Sequence, residues 1–215
     1  MVDEDLAALL REHAVRHSVP GAAVGVLREG AATTACYGVA DIGTGEPVTA
    51  GTRFSAGSLT KSMVATAIMF LADGGRLSLD DAVAAHVPEL RASEWAGRAT
   101  VRDLLANRSG ISLRAGLEFG FADREDDDDG ALSRLVADAA AGGGAGDGWS
   151  YTNAGWCVLG RVIETATGAG WEDAMRRQLF GRAGMSGTAF VTGGVTQRRV
   201  RGMRSPRTAR CRSRR

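Results

Sequence analysis

The sequence predicts an α+β fold, in which one antiparallel hairpin near the N-terminus precedes a longer run of helices. Three observations predict it. "AAVGVLREG" and "TTACYGVADIG" are two strand-like runs joined by a Glu29-Gly30 turn, the pattern of a hairpin. Residues 63–72, "MVATAIMFLA", form a ten-residue uncharged run that closes at Gly74-Gly75, as a core helix does. "AGWCVLGRVIETATG" and "WEDAMRRQLFG" carry helical periodicity on either side of residues 168–170.

The elements follow in chain order. Residues 5–17 place Leu6, Leu9, Leu10 and Ala14 at helical spacing, and Pro20-Gly21 ends that helix before the hairpin begins. The helix through residues 63–72 is apolar on every side, so burial all round is expected. "LSLDDAVAAHVPEL" reads as a turn, a short helix and a proline stop. "TVRDLLANRSGIS" sets Thr100 and Asp103 at capping-box spacing and stops at Ser109-Gly110, a helix of about two turns. Residues 123–130, "DREDDDDG", and 141–148, "AGGGAGDG", are surface loops by charge and glycine content. The acidic run lacks calcium-loop spacing and its closing glutamate, so a solvated loop is the simpler reading. The two helices near residues 154 and 171 complete the pattern, without any internal repeat.

Composition bounds the function classes. A chain of 215 residues with 44% hydrophobic and 24% charged side chains can bury one large core or two small ones, which excludes a fibre or wholesale disorder. The start, "MVDEDLAALLREH", is acidic and amphipathic, unlike a secretory signal, and the ten-residue apolar run is too short for a bilayer that needs about 20 residues. Cys36, Cys157 and Cys211 are odd in number and lack metal-ligand spacing, so buried or idle thiols in a reducing, cytoplasmic setting are expected. The net charge of +1 hides an asymmetry. Nine arginines and no acid lie in residues 197–215, leaving 17 basic against 25 acidic side chains before them. The domain is therefore read as residues 1–196, with residues 197–215 as a basic disordered tail. No stacking aromatic or nucleic-acid-reading module lies near that tail, so nucleic acid is not an expected partner.

Lys61 is the chemical focus, because it is the single lysine among 26 basic residues and sits three positions after Ser58. Arginine stays charged, whereas a desolvated lysine can act as a base. If Ser58 opens the apolar helix, i,i+3 spacing brings Lys61 onto the same face, where the helix N-terminus and apolar surroundings favour the neutral amine. The serine then has an acceptor for its proton. A solvated lysine that follows a serine by chance is the plainer alternative, so a second constellation carries weight. "GWSYTNAGW" sets Tyr151 and Asn153 two apart in a turn before a helix. Separately they read as a packing aromatic and a helix N-cap; together with the serine and lysine they read as a site.

These motifs resemble the serine beta-lactamase and penicillin-binding-protein superfamily, in particular its class C-like hydrolases and esterases. "FSAGSLTK" matches the S-x-x-K motif and "YTN" the second motif in its class C tyrosine form. "GRLSLDDAVAAHVPEL", "TVRDLLANRSGIS" and the segment from Trp149 to Phe190 resemble family segments in order and spacing. The resemblance implies a beta-lactamase-like fold, with helices packed beside an antiparallel sheet. It implies a serine hydrolase acting through an acyl-enzyme on a beta-lactam, peptide or ester. Ser58 would be the nucleophile, Lys61 its base, Tyr151 a proton shuttle and Asn153 a substrate contact. The Ser58 N–H would be one oxyanion donor. No metal or organic cofactor is implied. The third family motif, Lys- or His-x-Gly, is not found; Thr192-Gly193 comes too early and lacks the preceding basic residue. A truncated or frameshifted chain lacking C-terminal strands is therefore expected, and a catalytically incompetent remnant or binding fragment is the alternative function.

Overall fold

Residues 2–111, 136 and 148–190 are described by the computed structural model, in two units divided in sequence between Ser55 and Ala56. In the first unit, α1 (Val2–Arg16) is followed by β1 (Gly21–Arg28), β2 (Ala31–Asp41) and the short β3 (Glu46–Pro47). The strands pair antiparallel in the order β1-β2-β3. The predicted turn is a two-residue one, and Glu29 and Gly30 both take positive φ, 50° and 82°, as tight hairpin turns demand. At the open end of the hairpin Gly21 faces Gly38, where the backbones leave no room for side chains. A Cβ on Gly38 would lie 2.0 Å from the Pro20 carbonyl oxygen, and its φ of 71° also favours glycine. Ala14 of α1 is buried in this unit with Ala35, Ala40 and Val48.

The second unit is helical. It contains α2 (Leu59–Asp73), α3 (Val83–His86), a 3-10 turn (Pro88–Leu90), α4 (Glu94–Arg98), α5 (Val101–Leu105), α6 (Asn153–Thr167) and α7 (Trp171–Met175), which continues into a π turn (Arg176–Phe180). Its core joins Val64, Ala67, Ile68 and Leu71 of α2 to Val158, Leu159, Val162 and Ile163 of α6, with Leu104, Met175 and Phe180 around them. Gly168 takes the left-handed conformation, φ 67°, and ends α6 as its sequence position predicts.

Two expectations need correction. The apolar helix α2 is not buried all round: it buries one stripe at i, i+3, i+4 and i+7, and Met69 is 50% exposed. Among the described residues of its unit, α2 packs chiefly against α6 and the π turn. Helix α5 forms the expected capping box, with Thr100 Oγ1 accepting from Asp103 N–H at 3.1 Å and Asp103 Oδ2 from Thr100 N–H at 3.0 Å. It stops at Leu105 rather than Ser109, because Asn107 takes φ 55° and the Arg108 N–H turns back to the Asp103 carbonyl at 2.7 Å. The short helix α3 stops at His86, before Val87-Pro88, as the proline predicts, and Pro88 then opens a separate 3-10 turn, its missing N–H being harmless at a first position. Helix α4 has no counterpart in the sequence reading, since five residues are too few to show a period.

Cys36 is exposed on β2 and Cys157 half-buried on α6, and both are free thiols. Burial pushes the Cys157 thiol up to about 11, which leaves it unreactive at neutral pH. Among the described residues no helix is long and apolar enough to cross a membrane. The predicted loop at residues 123–130, all but Gly148 of the one at residues 141–148, Thr192-Gly193, Cys211 and the arginine-rich tail lie outside the described residues.

Candidate active site

Ser58 occupies the N-cap position of α2, yet its backbone is helical, φ −71° and ψ −6°, and its hydroxyl makes no capping bond. An ordinary N-cap serine is extended and turns its oxygen onto the helix N–H groups. Here successive turns carry the chain in, with Leu59 N–H donating to the Ala56 carbonyl and Thr60 N–H to that of Gly57. Ser58 Oγ is thereby left for other partners. Lys61, one turn on, donates from Nζ to Ser58 Oγ at 3.2 Å, as the i,i+3 spacing predicts.

The second wall comes from the start of α6. Thr152, not Asn153, is the N-cap: it is extended, buried, and its Oγ1 accepts from Gly155 N–H at 3.3 Å. That assignment corrects the N-cap alternative for Asn153. Threonine is itself a favoured cap residue, and its position before "NAGW" was the signal available. With Thr152 capping, Asn153 is the first helical residue and its amide is free to turn inward. Its Oδ1 accepts from Lys61 Nζ at 2.8 Å. Tyr151, 41% exposed, directs its phenol to Ser58, with 2.9 Å between the two hydroxyl oxygens.

The four residues singled out in the sequence therefore meet, although 92 and 93 positions separate the partners across the two walls. Lys61 Nζ also lies 4.8 Å from the centre of the Tyr151 ring, within cation–π range. Interaction with the Lys61 ammonium is the larger cause that lowers the Tyr151 phenol below its ordinary value of 10.0; the Ser58 hydrogen bond is the next. An exposed hydroxyl between an amine and an acidified phenol can lose its proton to a neighbour at the moment its oxygen bonds to carbon. Among the described residues no cluster of three or more His, Cys, Asp or Glu side chains could hold a metal ion.

The family model described as Beta-lactamase matches residues 6–213. The chain belongs to the beta-lactamase family. It is 38% identical over 175 residues to penicillin-binding protein 4 of Amycolatopsis lactamdurans, covering 79% of this chain and 44% of that protein. It is 34% identical over 169 residues to the esterase EstB of Burkholderia gladioli, covering 72% of this chain and 43% of the other. A solved class C beta-lactamase superposes with a TM-score of 0.73 at 26% identity, covering 90% of this chain and 52% of its own. The chain thus spans less than half the length of these two curated relatives. The α+β, beta-lactamase-like fold expected from the motifs is present in its helices and small antiparallel sheet. The family match also runs past residue 190, where the motif resemblance stops.

Proposed function

We propose that this member of the beta-lactamase family is a serine hydrolase that works through an acyl-enzyme on a small beta-lactam, peptide or ester. Ser58 is the nucleophile, Lys61 the base, Tyr151 the proton shuttle and Asn153 a substrate contact. One observation carries the reading: Ser58 Oγ lies 2.9 Å from the Tyr151 phenol oxygen and 3.2 Å from Lys61 Nζ, with Lys61 itself held by Asn153.

Lys61 and Tyr151 act as a coupled pair. Neutral amine with phenol, and ammonium with phenolate, are the same protonation state, and each can accept one proton from Ser58. As that proton leaves, Ser58 Oγ bonds to the substrate carbonyl carbon and the carbonyl electrons move onto oxygen. The Ser58 N–H, at the positive end of α2, is placed in sequence to help hold that oxyanion. Collapse breaks the bond to the leaving nitrogen or oxygen, which takes the proton back from the pair. Water then attacks the acyl-enzyme, gives its proton to the pair, and Ser58 departs with that proton restored. The names of the relatives, a penicillin-binding protein and an esterase, support the range of acyl substrates.

The test is intact-protein mass after exposure to a penicillin and, separately, to an activated ester. The wild type is expected to gain one acyl group, and Ser58→Ala to gain none. A folded wild-type chain that takes no adduct from either reagent would overturn the reading and favour a non-catalytic binding fragment.

A further inference from the structure

We propose that Asn107 is a positioning residue for this site, a single residue beyond α5 that fixes residues 151–153 from both ends. Its backbone carbonyl accepts from the Ser150 N–H at 2.8 Å, immediately before Tyr151. Its side-chain Oδ1 accepts from Trp156 Nε1 at 3.0 Å, in the first turn of α6 and three residues beyond Asn153. Everything between the two anchors is the segment that carries Tyr151, the capping Thr152 and Asn153. The inference rests on the reading that Tyr151 and Asn153 serve Ser58.

The conformation of Asn107 explains how one residue does both. Its φ of 55° lies in the left-handed region, where glycine is the least strained choice and asparagine is tolerated. Glycine would end α5 equally well. Asparagine adds what glycine lacks, an acceptor for the indole N–H. The first turn of α6 also packs closely here, since a Cβ on Gly155 would meet Leu104 at 3.4 Å and Thr152 Oγ1 at 3.5 Å. The Tyr151 ring is too exposed for packing alone to hold its oxygen opposite Ser58. The restraint comes through the backbone on either side of it, and small misplacements of reacting groups are costly in rate.

The experiment uses a Tyr37→Phe background, so that Tyr151 is the single tyrosine, with Asn107→Gly, Trp156→Phe and the double variant compared in it. Two quantities are read on chains shown to be folded by circular dichroism: the ultraviolet titration of the Tyr151 phenol, and the rate of acylation by an activated ester. Asn107→Gly keeps the backbone turn and removes the indole bond. It is expected to slow acylation about tenfold or more and to move the phenol titration back toward its ordinary value. Trp156→Phe should do the same, and the double variant no more than either single one. A wild-type titration and rate in both single variants would overturn the proposal. If the parent itself is never acylated, the hydrolase reading fails separately, and an unshifted phenol titration in Asn107→Gly and Trp156→Phe would still sink the positioning role.

Discussion

At the residue scale, the site depends on Lys61 and Tyr151 being read as one titrating unit. The ammonium holds the phenol below its ordinary 10.0, so the proton-accepting form of the pair is reached at lower pH than for a free tyrosine. The sign follows directly: a base works above its pKa, so acylation should rise with pH through a midpoint below 10.0. Tyr151→Phe should lower the acylation rate by about 100-fold or more and displace the midpoint of that rise, which Lys61 alone would then set, as measured by ester acylation against pH. An unchanged profile in the variant would remove Tyr151 from the proton path. The Ser58–Lys61 contact was legible in the sequence because both residues lie within one helical turn. The contact of Ser58 with Tyr151 was not derivable from spacing, since 93 positions intervene; the co-occurrence of the two constellations and their resemblance to known motifs joined them. The role of Thr152 as cap was hidden by its neighbour Asn153, which is an equally good cap residue in isolation.

At the scale of elements, local chemistry decided where each one begins and ends. The hairpin turn was legible because a Glu-Gly pair between two strand-like runs supplies the positive φ values a two-residue turn needs. The start of α5 was legible for the same kind of reason, as Thr100 and Asp103 satisfy each other's backbone N–H groups. Its end was not, because Asn107 stops the helix two residues before the more obvious Ser109-Gly110 signal. Thr100→Ala removes one half of the box and should cost about 1 kcal/mol of stability, read as a lower urea midpoint at unchanged slope. A midpoint equal to wild type would mean that the Asp103 carboxylate alone secures the turn.

At the scale of the whole molecule, stability in the helical unit is set by a buried seam and by a few charges at its surface. Ile163 is fully buried in the core shared by α2 and α6, so Ile163→Ala should cost about 2–5 kcal/mol, seen as a large drop in unfolding midpoint. A loss below 1 kcal/mol, far under the usual cavity cost, would show that the seam collapses to fill the space. Acid should also weaken this unit. The Arg102 guanidinium lowers the Asp80 carboxyl, and the Ser78 N–H, followed by His86, lowers that of Asp81. Carboxyls lowered by folding contribute stability above their unfolded value of 3.8, and that contribution is lost as pH falls through the lower folded values. The melting temperature should therefore fall below pH 3.8, less steeply in Asp81→Asn, and an identical acid slope in the variant would contradict the assignment. By itself the sequence determined the hairpin, the principal helices, the four candidate site residues and the family, because turn chemistry, periodicity and short motifs are local properties of the chain. Tertiary structure alone decided that α2 buries only one face, that Thr152 frees Asn153 for Lys61, and that Asn107 ties down the Tyr151 segment. Each of these depends on which distant backbone packs alongside, and such contacts leave no period or spacing in the chain that makes them.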